Sequence, residues 1–202
     1  HDEVGAAGFG GAVNELPVHP PDGTPRPGWT GRYFEDFVVG DTYRHPLGRT
    51  VLPVDNSWMS LLTQNSAPVH FDAHYASRTE FGRPLVDSTF TLALVTGQSV
   101  TDVSMNVMAN LGWDRVRLPH PVFEGDTLYS ESEVLSARES SSRPDVGVVG
   151  VRTVGFNQRG EIVITFERTL LVYRRGHGPG HVWDERSRRL AGLEEEDRSA
   201  SS

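Results

Sequence analysis

Two alternating stretches near the carboxyl end constrain the fold more than any other feature of this chain. Val146 to Phe156 alternates largely between apolar and polar positions, and so does the stretch from Ile162 to Val172. Asn157-Gln-Arg-Gly160 between them has the composition of a turn. Alternation with a period of two is typical of a strand with one buried face, and a short Gly-containing connection joins antiparallel neighbours. The sequence therefore predicts a long antiparallel hairpin.

A helix and a further strand complete this architecture. The apolar run from Leu85 to Val103 has no charge between Asp87 and Asp102, and it is long enough for a helix but too short to span a bilayer. Pro121 to Leu135 alternates again. We therefore predict an α+β fold in which a long antiparallel sheet surrounds one buried central helix.

The segments before the central helix are shorter. Gly40-Asp41 predicts a turn into a first strand that runs toward Arg49-Thr-Val. Asp55 is a candidate N-cap for a helix, and Asp72 to Arg78 has the pattern of a short helical turn. The apolar residues behind Asp55 that have helical spacing are Trp58, Leu61 and Leu62.

Composition divides the chain into one domain and two tails. Residues 1–30 are rich in Gly and Pro, so we expect an N-terminal arm, and residues 176–202 become charged, ending in Glu194-Glu-Glu-Asp197, so we expect a flexible tail. Residues 31–175 form the single predicted domain. The first residues lack the basic and apolar regions of a signal peptide, so we expect a cytoplasmic protein.

Composition also excludes several kinds of chemistry. All 19 basic residues are arginine, so no lysine is present to form a Schiff base. The cysteine count of 0 excludes thiolate nucleophiles and disulfides. A net charge of −8 argues against nucleic acid as a partner, and no apolar run is long enough to predict a membrane span.

The segment Thr63-Gln-Asn-Ser-Ala-Pro-Val-His-Phe-Asp72 has the composition of a catalytic loop. It places a histidine (His70), a carboxamide (Asn65) and a carboxylate (Asp72) close to a proline. Histidine is the side chain whose ordinary pKa lies closest to neutrality. His70 is therefore the first candidate for proton transfer.

Three segments, in this order, resemble the MaoC-like dehydratases, or R-specific enoyl-CoA hydratases, of the hotdog fold. Their signature D-x-N-P-x-H, followed by a hydrophobic residue and Asp, here reads Asn65-Ser-Ala-Pro-Val-His-Phe-Asp72. Phe81 to Ser88 is similar to their F-G-x-P-I-A-H-G segment, and Pro121 to Leu128 to their P-V-x-x-G-D-T-L segment. The resemblance covers roughly residues 31 to 175. The itaconyl-CoA or mesaconyl-CoA hydratase subgroup is the most similar, as Asn110-Leu-Gly-Trp indicates.

This resemblance implies a hydro-lyase that adds water reversibly to a short α,β-unsaturated acyl-CoA, such as a C5 dicarboxylyl-CoA, without a metal or redox cofactor. It also implies at least a homodimer, because the family builds its site across two chains. Two alternatives stay open, a hotdog acyl-CoA thioesterase and a non-catalytic acyl-CoA-binding protein.

The chain departs from the family at the catalytic positions. Asn65 replaces the catalytic Asp, and a carboxamide can orient water but cannot deprotonate it. Asp87 stands where the family has His, and it is a candidate acid if burial raises its pKa, or a helix cap. Asp72 either orients His70 or caps a helix. The resemblance implies that the Ser88 and Thr89 amides stabilise the enolate.

Arginines are the candidates for binding CoA phosphates and a substrate carboxylate, because their forked donors suit both. We select Arg83, Arg117 and Arg143, with Arg115 and Arg138 as further candidates by position. A metal site is the rival use of the loop, since His70, Asp72 and His74 form H-x-D-x-H. Pro68 argues against the regular strand that this spacing needs, so we predict no metal.

Overall fold

The structure, a computed structural model, describes residues 28–180, so most of the predicted N-terminal arm and tail lie outside it. Within that range the α+β prediction is confirmed. The helices are α1 (Pro53–Thr63), α2 (Ala73–Ala76) and α3 (Ser88–Gln98). The strands are β1 (Thr42–Arg44), β2 (Arg49–Thr50), β3 (Val107–Arg117), β4 (Thr127–Glu139), β5 (Val146–Asn157) and β6 (Ile162–Tyr173).

The strands form one antiparallel sheet in the order β1–β4–β5–β6–β3, with β2 also paired to β4. The predicted hairpin is β5–β6. The Asn157 side-chain oxygen accepts hydrogen bonds from the backbone N–H groups of Arg159 and Glu161, and Gly160 has a φ of +79°. Glycine tolerates this left-handed backbone, so the turn follows directly from the sequence.

Strand β3 was not predicted. It shows no clean alternation of buried and exposed residues, its pairing with β6 shifts register three times, and Arg115 has a φ of +51°. Polar residues on an irregular edge strand hide the period of two. The alternation predicted from Pro121 also begins later, because a turn at Gly125, with a φ of +91°, precedes the start of β4 at Thr127.

Helix α3 is shorter and less buried than predicted. Its α-helical part ends at Gln98, and one π-helical turn, Val100–Ser104, follows. Val95 is buried against the sheet in an apolar cluster with Leu128, Ile164 and Phe166. Ala93 and Gly97 are exposed. The sheet therefore covers one face of α3, while the opposite face carries small residues.

Helix α1 turns its polar side inward. Asn56 and Ser60 are buried, whereas Trp58, Leu61 and Leu62 are 65 %, 77 % and 80 % exposed. Asp55 is not the N-cap residue, because the helix begins at Pro53. Its carboxylate instead accepts a hydrogen bond from the Leu52 N–H and pairs with Arg49. The buried face of α1 is thus lined by polar side chains, while its large apolar side chains are exposed.

Candidate active site

His70 ends the 3₁₀ turn Pro68–His70, and its ring is held by a backbone carbonyl. Its Nδ1 atom lies 2.8 Å from the Leu85 carbonyl oxygen. A carbonyl only accepts hydrogen bonds, so Nδ1 carries the proton in the neutral ring and Nε2 has the free lone pair. Nε2 has no hydrogen-bond partner among residues 28–180. The ring can therefore accept a proton at Nε2.

Asn65 and Asp87 form a direct pair. The Asn65 Nδ2 atom donates to Asp87 Oδ2 at 2.7 Å, and its Oδ1 accepts from the Ala67 N–H at 3.1 Å. These two contacts fix the orientation of the carboxamide, because a carboxylate requires the donor side. One N–H of Asn65 remains for a water or a substrate. The site thus contains a carboxylate, at position 87 instead of 65.

Asp87 is the N-cap of α3, as one of the two alternatives predicted. Its Oδ1 accepts from the Thr89 N–H at 2.7 Å and from the Thr89 hydroxyl at 2.6 Å. Burial acts to raise the pKa of Asp87. The hydrogen bonds from Thr89 and Asn65 and the nearby His70 outweigh this effect, so its pKa lies below the usual value. The expected net rise of this pKa was therefore wrong, and Asp87 is a carboxylate at neutral pH.

Of the two amides predicted as donors at the start of α3, one is free in the part of the chain that the structure describes. The Thr89 N–H is taken by the Asp87 side chain, which removes Thr89 from the predicted enolate-stabilising donors. The Ser88 N–H has no acceptor in the part of the chain that the structure describes. Ser88 therefore keeps the ability to donate to a developing negative charge at this helix N-terminus.

Asp72 caps α2, the other outcome left open by the sequence. Its Oδ1 accepts from the Tyr75 N–H at 2.9 Å. His70, Asp72 and His74 lie in a 3₁₀ turn, at a cap and in a helix, so they do not have the strand geometry that a shared metal would need. Within residues 28–180 no three His, Asp or Glu side chains come together as metal ligands.

Asn56 is the polar contact that sequence reasoning missed. It is fully buried on α1, and its Nδ2 donates to the carbonyl oxygens of His70 (2.7 Å) and Leu85 (3.0 Å). Its Oδ1 accepts from the Asp87 N–H at 2.9 Å. A buried asparagine among exposed apolar neighbours could have signalled this role, but only once the inner face of α1 was known.

The three selected arginines do not converge. Arg83, two residues before Leu85 in the sequence, lies over the Phe123 ring at 3.9 Å. Arg117 lines a cavity of about 290 Å³ with Arg115 and Arg152, at the end of β3. Arg143 contacts Met108 at the opposite end of that strand. Nine residues of strand span roughly 30 Å, so one phosphate cannot contact both Arg117 and Arg143.

A second buried polar cluster lies beside the π-helical turn. His45 Nδ1 is 3.0 Å from Asp102 Oδ2, and its Nε2 is 2.9 Å from the Ser132 hydroxyl. This order of groups is that of a nucleophile triad. Ser132 is fully buried, however, and it also bonds Thr153. The cluster is therefore part of the core, and His70 remains the accessible histidine of the candidate site.

Comparison with known proteins identifies the family. A family model described as mesaconyl-CoA hydratase matches residues 28–196. The chain belongs to the mesaconyl-CoA hydratase family. It is similar to the mesaconyl-CoA hydratase of Cereibacter sphaeroides, with 37 % identity over 72 % of this chain and 42 % of that protein. It is also similar to the β-methylmalyl-CoA dehydratase of Chloroflexus aurantiacus, with 33 % identity over 72 % and 41 %.

A solved structure confirms the fold of this mesaconyl-CoA hydratase family member. A Mycobacterium tuberculosis protein with a double hotdog fold matches with a TM-score of 0.67 and 25 % identity, over 76 % of this chain and 48 % of that one. The hotdog prediction is therefore confirmed. The chain spans about two fifths of the length of the curated relatives it matches. No helix within residues 28–180 is long and apolar enough to cross a membrane.

Proposed function

We propose that the protein is a hydro-lyase that reversibly hydrates a short α,β-unsaturated acyl-CoA. The observation that carries this proposal is the free Nε2 of His70, which lies in a fixed tautomer beside the Asn65–Asp87 pair. Membership of the mesaconyl-CoA hydratase family supports a C5 dicarboxylyl thioester, such as mesaconyl-CoA or itaconyl-CoA, as the substrate.

In the proposed mechanism His70 Nε2 takes a proton from water while the water oxygen bonds to the β-carbon of the thioester. Negative charge moves to the thioester oxygen, where the Ser88 N–H at the start of α3 stabilises it. The resulting imidazolium returns the proton to the α-carbon, so one water molecule is added and no cofactor is consumed. The remaining N–H of Asn65 orients the attacking water, and the Asp87 carboxylate stabilises the imidazolium by its charge.

Substrate binding is proposed for two of the arginines. Arg83 belongs to the segment that also supplies Leu85, the carbonyl partner of His70. Val116, next to Arg117, packs on the apolar cluster that contains Val86 at the start of α3. Arg83 and Arg117 therefore suit the thioester end of the substrate, whereas Arg143 is left for a distant contact of CoA or for none.

We also propose a cytoplasmic homodimer or higher homo-oligomer of the domain at residues 31–175. Strand β3 forms one edge of the sheet and exposes 58 % of Leu111 and 47 % of Trp113. An unpaired apolar edge of this kind favours pairing with another strand. Ala93 and Gly97 on the exposed face of α3 are small enough for close packing of a second module.

A substrate panel tests the activity. Purified protein is incubated with itaconyl-CoA, mesaconyl-CoA and crotonyl-CoA, and both loss of the enoyl thioester and release of free thiol are followed. Water addition without thiol release, fastest with a C5 dicarboxylyl substrate, is the expected result. Thiol release would favour the thioesterase alternative, and binding without turnover would favour an acyl-CoA-binding protein.

A pair of histidine variants tests the site. His70→Ala should lower kcat by about 10²-fold or more, since it removes the general acid and base. His74→Ala is the matched control, because His74 lies on the exposed side of α2, four residues away. Activity of His70→Ala close to that of His74→Ala would reject the proposed mechanism.

A further inference from the structure

We propose that Asn56 is a positioning residue that holds His70 in its reactive tautomer and orientation. The inference rests on the proposed function for its effect on rate, but its structural part can be measured without turnover. Asn56 does not contact the free Nε2 of His70, and it acts through the backbone groups around the ring.

The contacts of Asn56 join the three segments that build the site. Its amide nitrogen uses both hydrogens, on the His70 and Leu85 carbonyl oxygens, and its amide oxygen accepts from the Asp87 N–H. These contacts link α1, the turn that carries His70 and the residue that caps α3. No other standard side chain of this size offers two donors and an acceptor in this arrangement.

The Leu85 carbonyl oxygen is the central atom of the arrangement. It accepts from Asn56 Nδ2 at 3.0 Å and from His70 Nδ1 at 2.8 Å, so the same oxygen sets the tautomer of the ring and is itself held by Asn56. The Val86 N–H of the same peptide donates to the Val122 carbonyl oxygen at 2.9 Å, so Asn56 is the second anchor of the Leu85 carbonyl and also the donor to the His70 carbonyl. A carboxylate oxygen in place of the Asn56 donor would repel both carbonyl oxygens and displace the acceptor that fixes the proton on Nδ1.

The reversed polarity of α1 supports this role independently. A helix that covers a core is expected to bury its apolar side. Here Asn56 and Ser60 are buried, at 0 % and 4 % exposure, while Trp58 and Leu62 remain exposed. Asn56 satisfies three backbone groups, two in part-buried contacts with His70 and Leu85 and one in a buried contact with Asp87. The inner face of α1 is therefore built around this side chain.

Two substitutions of Asn56 separate the effect of its hydrogen-bond donors from the effect of its side-chain volume. Asn56→Asp keeps the shape and an acceptor for the Asp87 N–H, but it replaces both donors with a carboxylate oxygen facing two carbonyls. Asn56→Leu keeps the volume and removes all three contacts. Ser60→Ala is the matched control, because Ser60 is buried one turn further along α1 and its hydroxyl has no hydrogen-bond partner in residues 28–180.

The first measurement is the tautomer of His70, read from ¹⁵N chemical shifts of the imidazole nitrogens at a pH where the ring is neutral. His70→Gln assigns its signals among the 8 histidines. The wild-type protein and Ser60→Ala should show protonation at Nδ1, and Asn56→Asp should show a mixture of tautomers. Retention of the pure Nδ1–H form in Asn56→Asp would overturn the proposal.

The second measurement is the split between kcat and KM. A positioning role predicts that both Asn56 variants lose about 10- to 100-fold in kcat with KM changed less than threefold, since small misplacement of a reacting group costs rate. A loss that appears mainly in KM, or an equal loss in Ser60→Ala, would overturn it. Asn56→Asp decides the question even where Asn56→Leu does not fold. If the wild-type protein hydrates no thioester, the proposed function fails, while the tautomer measurement still decides the role of Asn56.

Discussion

Exchanging Asn65 and Asp87 tests whether their contact is a working pair. Asp87→Asn leaves one acceptor oxygen for donors that Asn65 and Thr89 present on opposite sides, so at least one part-buried donor loses its acceptor, at a cost of about 1–3 kcal/mol. Asn65→Asp places two carboxylates in contact, and one must stay protonated. With a usual pKa of about 3.9, this costs up to about 4 kcal/mol at pH 7, at 1.36 kcal/mol per unit. The double exchange restores one carboxylate and one amide, so its loss should be smaller than either single loss.

Urea unfolding of the four proteins, followed by the fluorescence of the 4 tryptophans, gives the coupling free energy of the cycle. We expect a coupling of at least about 2 kcal/mol at pH 7. In the Asn65→Asp variant, folding raises the pKa of the carboxyl group that stays protonated. The free-energy cost of keeping it protonated therefore grows as the pH rises. This variant should therefore recover about 2.7 kcal/mol between pH 7 and pH 5. Additive losses of stability would refute the pairing. So would an Asn65→Asp variant whose stability does not change between pH 7 and pH 5.

Two further predictions concern stability away from the site. Gly147→Ala should lower the free energy of unfolding by about 1–3 kcal/mol, because an added Cβ overlaps the Phe34 ring, whereas Gly112→Ala, with no atom within 4 Å, should not show this loss. Arg168→Met should raise stability by about 1–3 kcal/mol at pH 7, since burial lowers the pKa of this guanidinium to about 10 and its Nε has no partner in residues 28–180. The free-energy cost of burying the charged Arg168 persists at every pH below about 10. A lower thermal unfolding midpoint for Arg168→Met than for the wild-type protein at pH 7 would contradict that reasoning.

The parts of the fold that the sequence predicted are those in which local chemistry and tertiary structure agree. The β5–β6 hairpin has its period of two and an Asn157–Gly160 turn, and α3 begins at an Asp87 cap followed by an apolar run. Strand β3 was missed because it is an edge strand whose register is set by β6 and not by its own pattern. Nothing local in Val107–Arg117 encodes that pairing.

The candidate site also combines features that the sequence predicted with features that only the structure shows. The sequence located His70 and Asp87, but the contacts that join them to the rest of the site are distant in sequence. Asn56 lies 14 residues from His70 and 31 from Asp87, and its partners are backbone atoms, which carry no sequence signal. The spacing of Trp58 and Leu61 predicted a helix but not which of its faces is buried. Burial of a polar face follows from backbone groups that need donors, and this need is visible only in three dimensions.

The contact between Asn65 and Asp87 shows that the site keeps a carboxylate although position 65 is an asparagine. An amide at position 65 cannot exchange a proton, yet it lies 2.7 Å from a carboxylate, so the site still combines one histidine with one negative charge. That carboxylate accepts three hydrogen bonds and has a lowered pKa, which makes it a weak base and a poor acid at neutral pH. In the proposed mechanism its fixed charge nevertheless favours an imidazolium at His70. In the proposed mechanism proton transfer is therefore concentrated on His70 alone, and the rate should depend on how accurately its Nε2 atom is positioned.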